Sequence, residues 1–354
     1  MTSIAIVGCG AAGSALAADL TRRGFAPPRV FDRDDDVMAA LVATGGVVSR
    51  GMIGDRIAPV RALPLADCVD GAVLVVVAVT ADRHEEVAKA LAPLLRPGQR
   101  VLLYCGYVAG CLWFRRAFLA AGGSAGVVIV EAANTLHLCG LVQPGEVFVS
   151  AVKAWLEITG PDPDDAQAVL DVVGPAFPEF TAGANCLETG LINPNPVGHL
   201  PAAVYNFALF EEPAARLNAG TLHFDELHWP GVRAAASAFD RERCGLIAAL
   251  GLTPMSRPDF NARSYPPGSR MVGEPPRFGG KLLSRHVHED GPCALVPMLS
   301  LAEAIGFAMP ATRALESALR LVGVDLDTHG RTVARIGPSA LRAVLPAGLR
   351  LETP

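Results

Sequence analysis

The sequence predicts an α/β domain built on a parallel sheet, followed by an all-α domain, and three observations carry this. Short β-branched runs alternate with Ala/Leu-rich stretches of helical length from Met1 to about Asn185. One of those runs, Val73-Leu74-Val75-Val76-Val77, is apolar without alternation, as a strand covered on both faces must be. After about Leu187 the strand-like runs thin out and helical ones take over. A chain of 354 residues exceeds one ordinary core and suits two, placed here at 1–186 and 187–354.

The strand candidates are Ile4–Val7, Arg29–Asp32, Val73–Val79, Val101–Tyr104, Val127–Glu131 and Val147–Val152, all assigned to the one sheet. Helices are expected between them at Ala11–Arg23, Arg83–Leu95 and Leu112–Ala121. In the second half Pro201–Phe210, Gly231–Leu250, Leu295–Ile305 and Pro310–Val322 read as helices, and the Pro/Gly-rich stretch Thr253–Gly280 as a loop. Asn193-Pro194-Asn195-Pro196 marks the entrance to this domain.

Apolar residues make up 51% and charged residues 18%, so extensive cores can form and disorder from excess charge is excluded. A formal charge of -5 supplies no long-range field toward nucleic acid or anionic lipid, and neither is expected as a partner. The longest apolar run, Gly71 to Ala81, falls short of the roughly 18 residues a spanning helix needs. The start of the chain has no basic segment and no small-residue cleavage site, so no signal peptide is expected. Eight cysteines without a CxxC pair suit reduced, mostly buried thiols, and these features together predict a cytoplasmic location.

Gly8-Cys9-Gly10-Ala11-Ala12-Gly13 is a GxGxxG turn between the first strand and the first helix. Gly8 permits the tight turn, Gly10 lets the backbone approach a pyrophosphate, and Gly13 allows close helix–strand packing. The helix N-terminus, with Ala11 and Ala12, faces the phosphates. The glycines alone would also suit FAD, or an α/β protein without a nucleotide. The next strand, however, ends in Asp32, 19 positions beyond Gly13, where a ribose-binding carboxylate is expected. Strand, glycines, helix, strand and acid in register predict a Rossmann-type domain for NAD or NADP. Asp32 would bond the ribose hydroxyls and repel a 2′-phosphate, favouring NAD. Arg33 could instead stack on adenine and grip that phosphate, or be a solvated loop charge.

A dinucleotide fold implies hydride chemistry but no substrate, so the second half must supply the rest. Its most informative segments run from Asn193 to Asn206, with His199 near a Pro-bounded helix start, and from Arg285 to Pro292, with a cation and carboxylates just before a helix. These segments resemble the octopine/nopaline, or opine, dehydrogenase family. That family shows Asn-x-x-x-His-Pro with an Asn seven positions after the His, matched by Asn195, His199 and Asn206, although Pro201 comes one position late. Its Arg-x-x-x-Glu-Asp-x-Pro motif is matched by Arg285, Glu289, Asp290 and Pro292, and the Asp-Arg-Glu-Arg run at 240–243 is also similar. The likeness extends over nearly the whole chain.

The resemblance implies a helical domain of the 6-phosphogluconate-dehydrogenase type. It also implies an enzyme that joins an amino acid to a 2-oxo acid, pyruvate or a relative, and reduces the resulting imine with NAD(P)H. Carried over by motif, His199 is the general acid/base, Asp290 the carboxylate that orients it, and Arg285 the clamp on the 2-oxo acid, with Asn195 also on the substrate side. Cys139 and Tyr107 lie where the family builds its amino-donor pocket. There the chain departs from the family pattern, keeping Cys139 but not the neighbouring Arg, which implies an altered amino-acid specificity.

Each residue also has a plainer reading. His199 would suit a structural helix-end histidine, Asp290 a helix N-cap, Arg285 a surface charge and Asn195 a turn former. His286, His288 and Asp290 alternate, and on a strand would share one face, but without a fourth ligand no metal is expected. The Leu/Ala/Val stripes of the C-terminal helices suit core or a homodimer surface. Two rival activities stay open, a 2-oxo or 3-hydroxy acid reductase that uses no amine and a nucleotide-binding sensor without turnover.

Overall fold

The computed structural model describes residues 3–208, 224–273 and 286–352. Among these residues twelve strands form two sheets: β1 (Ile4–Val7), β2 (Arg29–Phe31), β3 (Gly46–Gly51), β4 (Arg56–Pro59), β5 (Arg61–Ala62), β6 (Leu74–Val77), β7 (Arg100–Leu103), β8 (Val128–Ala132), β9 (His137–Gln143), β10 (Glu146–Val152), β11 (Leu156–Thr159) and β12 (Phe180–Ala182). The larger sheet runs β12-β11-β8-β7-β6-β1-β2-β5. It is parallel from β8 to β5, and β11 joins antiparallel to β8. Every residue of β1 and β6 is buried, which accounts for their unbroken apolar runs. The strand order reverses between β1 and β6, the switch point at whose C-terminal edge α/β sheets bind ligands.

The expectation that Val147–Val152 belongs to this sheet is corrected. β10 lies in the second sheet, of order β4-β3-β10-β9, antiparallel to β9. Pro144-Gly145, with Gly145 at φ +77°, closes a two-residue turn between β9 and β10. A turn this short allows only an antiparallel neighbour.

A buried chain of hydrogen bonds ties this second sheet to the first helix, α1 (Ala11–Arg22). The Leu136 N–H donates to the Tyr104 hydroxyl (2.9 Å), so that hydroxyl donates to His137 Nδ1 (3.0 Å), and His137 Nε2–H reaches Asp19 of α1 (3.0 Å). Burial works against the Asp19 carboxylate, but the His137 hydrogen bond and the charges of Arg23 and Arg22 outweigh it and hold its carboxyl down at about 2.

From Asn185 onward the chain is helical. Helices run over Cys186–Leu191, Asn195–Tyr205, Pro230–Ala249, Val296–Ala304 and Pro310–Leu321, and a π-helical turn, Gly291–Leu295, precedes the fourth of these. The loop expected at Thr253–Gly280 contains a further helix, Arg257–Ser264. Ser256 caps it by accepting the Asp259 N–H, and Phe260 is fully buried; Pro and Gly density around this cap obscured its signal in the sequence. The Asp-Arg-Glu-Arg run serves as an internal brace. Buried Arg243 binds Asp240 and the carbonyls of Leu191 (2.6 Å) and Met255 (2.7 Å), while Glu242 accepts the N–H groups of Ala311 and Thr312 that open the helix at Pro310.

Candidate active site

The glycine turn leaves β1 at Gly8 with φ +102°. A Cβ on Gly8 would stand 2.8 Å from the Ala78 carbonyl, and one on Gly13 would stand 1.9 Å from the Gly8 carbonyl, so the protein itself demands glycine at both. Gly10 differs, because a Cβ there meets nothing within 4 Å among the described residues. Its lack of a side chain therefore keeps space open above the N-terminus of α1, where no side chain caps the helix. Exposed N–H groups at a positive helix end, with room for a phosphate, fit a dinucleotide pyrophosphate. Asp32, just past β2, accepts the N–H of Cys9 (2.6 Å) and of Asp34 (2.9 Å), which fixes its carboxylate beside the turn. Arg33 is mostly exposed and 3.7 Å from Glu86.

The segment that follows β6 leads from this turn to the second domain. Ala78 and Val79 pack beside Gly8, and the Ala81 N–H donates to Glu289 (2.8 Å). Next to Glu289 is Asp290, fully buried, whose Oδ2 meets His199 Nδ1 at 2.7 Å and whose Oδ1 accepts the Tyr107 hydroxyl at 2.5 Å. Asp290 occupies the N-cap position of the π-helical turn but caps nothing with its side chain, which is committed to His199 and Tyr107. A carboxylate only accepts, so Nδ1 of His199 carries a proton. The His199 side chain is 15% accessible, enough for contact with a small molecule. His286 stacks on its ring with centroids 3.9 Å apart and limits its rotation.

Tyr107 sits in an unusual backbone segment. Cys105, Tyr107 and Ala109 all have positive φ (88°, 61° and 54°). Each such residue costs on the order of 1 kcal/mol, and strain of this kind concentrates at functional sites. Below it lies Glu131, fully buried and accepting the Cys111 N–H (2.9 Å). Burial pushes its carboxyl up to about 8 against the pull of Arg331. The folded protein therefore keeps this proton up to about pH 8, whereas the unfolded chain releases it near its usual 4.5, so stability contributed by the group falls as pH rises through that window. Glu131→Gln imitates the protonated form, and its melting temperature is expected to drop less than that of the parent between pH 5 and pH 8. Parallel melting profiles for the two proteins would show instead that the carboxyl is ionised throughout.

Sequence reasoning brought His199, Asp290 and the glycine turn into one region but missed several supports. Asn134 donates to Asn193 (3.0 Å) and to Asn195 (2.9 Å), so Asn195, expected on the substrate side, is anchored within an asparagine cluster at the start of its helix. Tyr107, expected in the amino-donor pocket, is buried with its hydroxyl on Asp290. Cys139 is half-buried on β9, opposite Val149. Arg285 lies outside the described residues. The stretch containing His286 and His288 is a turn rather than a strand, so the two do not share a strand face, and His288 is exposed. Among the described residues Cys111, Glu131 and Cys186 bring potential metal ligands within 4.8 Å of one another, but burial drives Cys111 and Glu131 toward their protonated forms and Arg331 stands beside them.

Residues 182–319 match the family model described as NAD/NADP octopine/nopaline dehydrogenase, alpha-helical domain, and residues 4–105 match ketopantoate reductase PanE/ApbA. An opine dehydrogenase of Arthrobacter sp. (strain 1C) is 28% identical over 360 residues, covering 98% of this chain and 97% of the relative. Residues 182–319 are thus similar to the alpha-helical domain of the octopine/nopaline dehydrogenase family. Among solved structures, an octopine dehydrogenase in complex with NADH and agmatine shares the fold at a TM-score of 0.67, with 17% identity and 98% of both chains covered. A PanE/ApbA family ketopantoate reductase from Ralstonia eutropha JMP134 does so at 0.64, with 20% identity over 90% of this chain and 98% of the other. The likeness to opine dehydrogenases thus lies in the helical domain and in the full-length relative, and the Rossmann-type half is also similar to ketopantoate reductases.

Proposed function

We propose that this protein is an opine dehydrogenase, condensing an amino acid with a small 2-oxo acid and reducing the imine to an N-(carboxyalkyl) amino acid. The observation that carries this reading is the dyad of His199 with buried Asp290, braced by Tyr107 and joined to the glycine turn through residues 78–81. Octopine dehydrogenase structures with NADH plus pyruvate, and with NADH plus L-arginine, support the choice of substrate classes. The nicotinamide, when bound, supplies the hydride. His199 handles the protons: the neutral ring takes up at Nε2 the proton that the substrate ammonium releases as the carbon–nitrogen bond forms, and the imidazolium, stabilised by Asp290, then donates it to the carbinolamine oxygen, which leaves as water. Arg285 is assigned to the 2-oxo acid carboxylate, where a guanidinium fork binds bidentately.

A 2-oxo or 3-hydroxy acid reductase is the second reading, favoured by the match of residues 4–105 to ketopantoate reductases. NAD(P)H oxidation with 2-oxo acids, measured with and without an amino-acid panel, separates the two. Amine-dependent oxidation supports the proposal, and oxidation indifferent to amine would leave only the reductase.

NAD is the preferred cofactor on this reading, supported by the Asp32 carboxylate held beside the glycine turn, an anion that would repel a 2′-phosphate. Asp32→Ala is expected to weaken NADH binding by about tenfold while raising the NADP/NAD preference ratio; an unchanged ratio would show that this carboxylate does not reach the ribose. A cytoplasmic location fits eight cysteines of which none forms a disulfide. A homodimer through the C-terminal helices fits the exposure of Leu321 and Val322, and sedimentation would test it.

A further inference from the structure

The turn that carries Tyr107 is held by a side chain more than two hundred residues along the sequence. Arg331 is fully buried. Its Nη1 donates to the carbonyls of Gly106 (2.8 Å) and Val108 (3.2 Å), and its Nη2 to that of Ala81 (2.9 Å). Gly106 and Val108 flank Tyr107, so the guanidinium grips the left-handed segment on both sides of the residue that meets Asp290. Ala81 is the residue whose N–H goes to Glu289, and the Arg331 N–H itself donates to the Pro292 carbonyl (3.1 Å), two residues past Asp290. One residue thus joins the three segments whose relative placement decides whether the Tyr107 hydroxyl reaches Asp290, two of them through its guanidinium and the third through its backbone N–H.

We propose that Arg331 is a positioning residue: its guanidinium sets the Tyr107 turn and, through the hydrogen bond from Tyr107 to Asp290, the proton affinity of His199. The proposal rests on His199 being the proton donor of the reaction inferred above. Stability alone is a poor account of this arginine, because a buried cation is costly to desolvate and an apolar side chain of similar volume is often no less stable. A planar fork reaches carbonyls from separate segments at once, which the point charge of a lysine does not. Glu131 and His84 face Arg331, and burial pushes both toward their neutral forms. Among the described residues the ionisable groups around His199 include Asp290 and the stacked His286, Arg257 against Gly198, His228 on the Gly198 carbonyl, and Tyr107 and Glu289 behind Asp290. Replacing Arg331 by Lys removes none of them and preserves the buried charge.

The test is the titration of the His199 ring followed by NMR in the full chain, for the parent, Arg331→Lys, Tyr107→Phe and the double variant, with melting temperature and NADH binding as controls. An Asp290 that no longer shares its charge with a hydroxyl holds the imidazolium more tightly, so the His199 midpoint is expected to rise by about half a pH unit or more in both single variants. The double variant should show no further rise. Amine-dependent kcat should fall roughly 10- to 100-fold in Arg331→Lys with NADH affinity unchanged. A folded Arg331→Lys protein that titrates like the parent, or shifts that add in the double variant, would overturn the proposal. Ala109→Gly is read independently of whether Arg331→Lys folds. It removes backbone strain while leaving the clamp, so His199 should titrate as in the parent, and a shifted midpoint would mean that the turn is held by its own backbone rather than by Arg331. A parent protein without amine-dependent turnover would end the reaction proposed above, yet the titration would still decide the role of Arg331.

Discussion

Replacing His199 by Ala is expected to lower kcat by about 100- to 10,000-fold while leaving NADH affinity nearly intact. The size follows from the position of the ring. Nδ1 is committed to Asp290, and no other imidazole among the described residues is hydrogen-bonded to that carboxylate, so loss of the ring leaves water as the proton source for dehydration of the carbinolamine. NADH affinity should survive because the glycine turn and Asp32, the features proposed to bind the cofactor, lie in the N-terminal α/β part of the chain. Steady-state kinetics with saturating amine and 2-oxo acid, paired with fluorescence titration of NADH, check both halves. Activity within a few-fold of the parent would remove His199 from the chemistry.

Asp290→Asn is expected to cost on the order of 100- to 1,000-fold in kcat, for a different reason. The amide keeps the shape but removes the anion, so the imidazolium loses its stabilising charge. It can also present N–H to the ring, which favours the tautomer with the proton on Nε2, where the proposed reaction needs a lone pair to take up the proton of the substrate ammonium. The parent carboxylate is fully buried and accepts two hydrogen bonds, so exchanging it should also lower the melting temperature. The acid limb of the kcat/KM profile separates the two effects: loss of charge lowers the His199 midpoint, whereas simple loosening of the fold reduces the rate without moving it. An unmoved limb would mean that Asp290 is structural only.

Much of this architecture is written locally. The unbroken apolar runs of β1 and β6 declare strands buried on both faces, and the spacing from Gly13 to Asp32 declares the nucleotide turn, because in both cases the signal and its cause lie within one supersecondary unit. The sheet that β10 joins is not legible in its own residues, because an apolar run does not say which strand lies beside it, and the Pro144-Gly145 turn decides that. His199 and Asp290 were legible through motifs, since each is flanked by recognisable neighbours. Their supports were not. Tyr107 meets Asp290 across 183 residues, and Asn134 reaches Asn193 across 59. Neither contact leaves a periodicity or a spacing in the chain, and the left-handed backbone at 105–109 is carried by Cys, Tyr and Ala, residue types that give no warning of it.

The central claim is that one active site forms a carbon–nitrogen bond before it transfers hydride. The most direct test incubates the enzyme with NADH, pyruvate and a panel of amino acids labelled with nitrogen-15, and follows the label by mass spectrometry. The account predicts a secondary amine that retains the labelled nitrogen and carries the carbon skeletons of both substrates, formed in step with NADH consumption. Recovery of the 2-hydroxy acid, with the labelled amino acids returned unchanged, would contradict it.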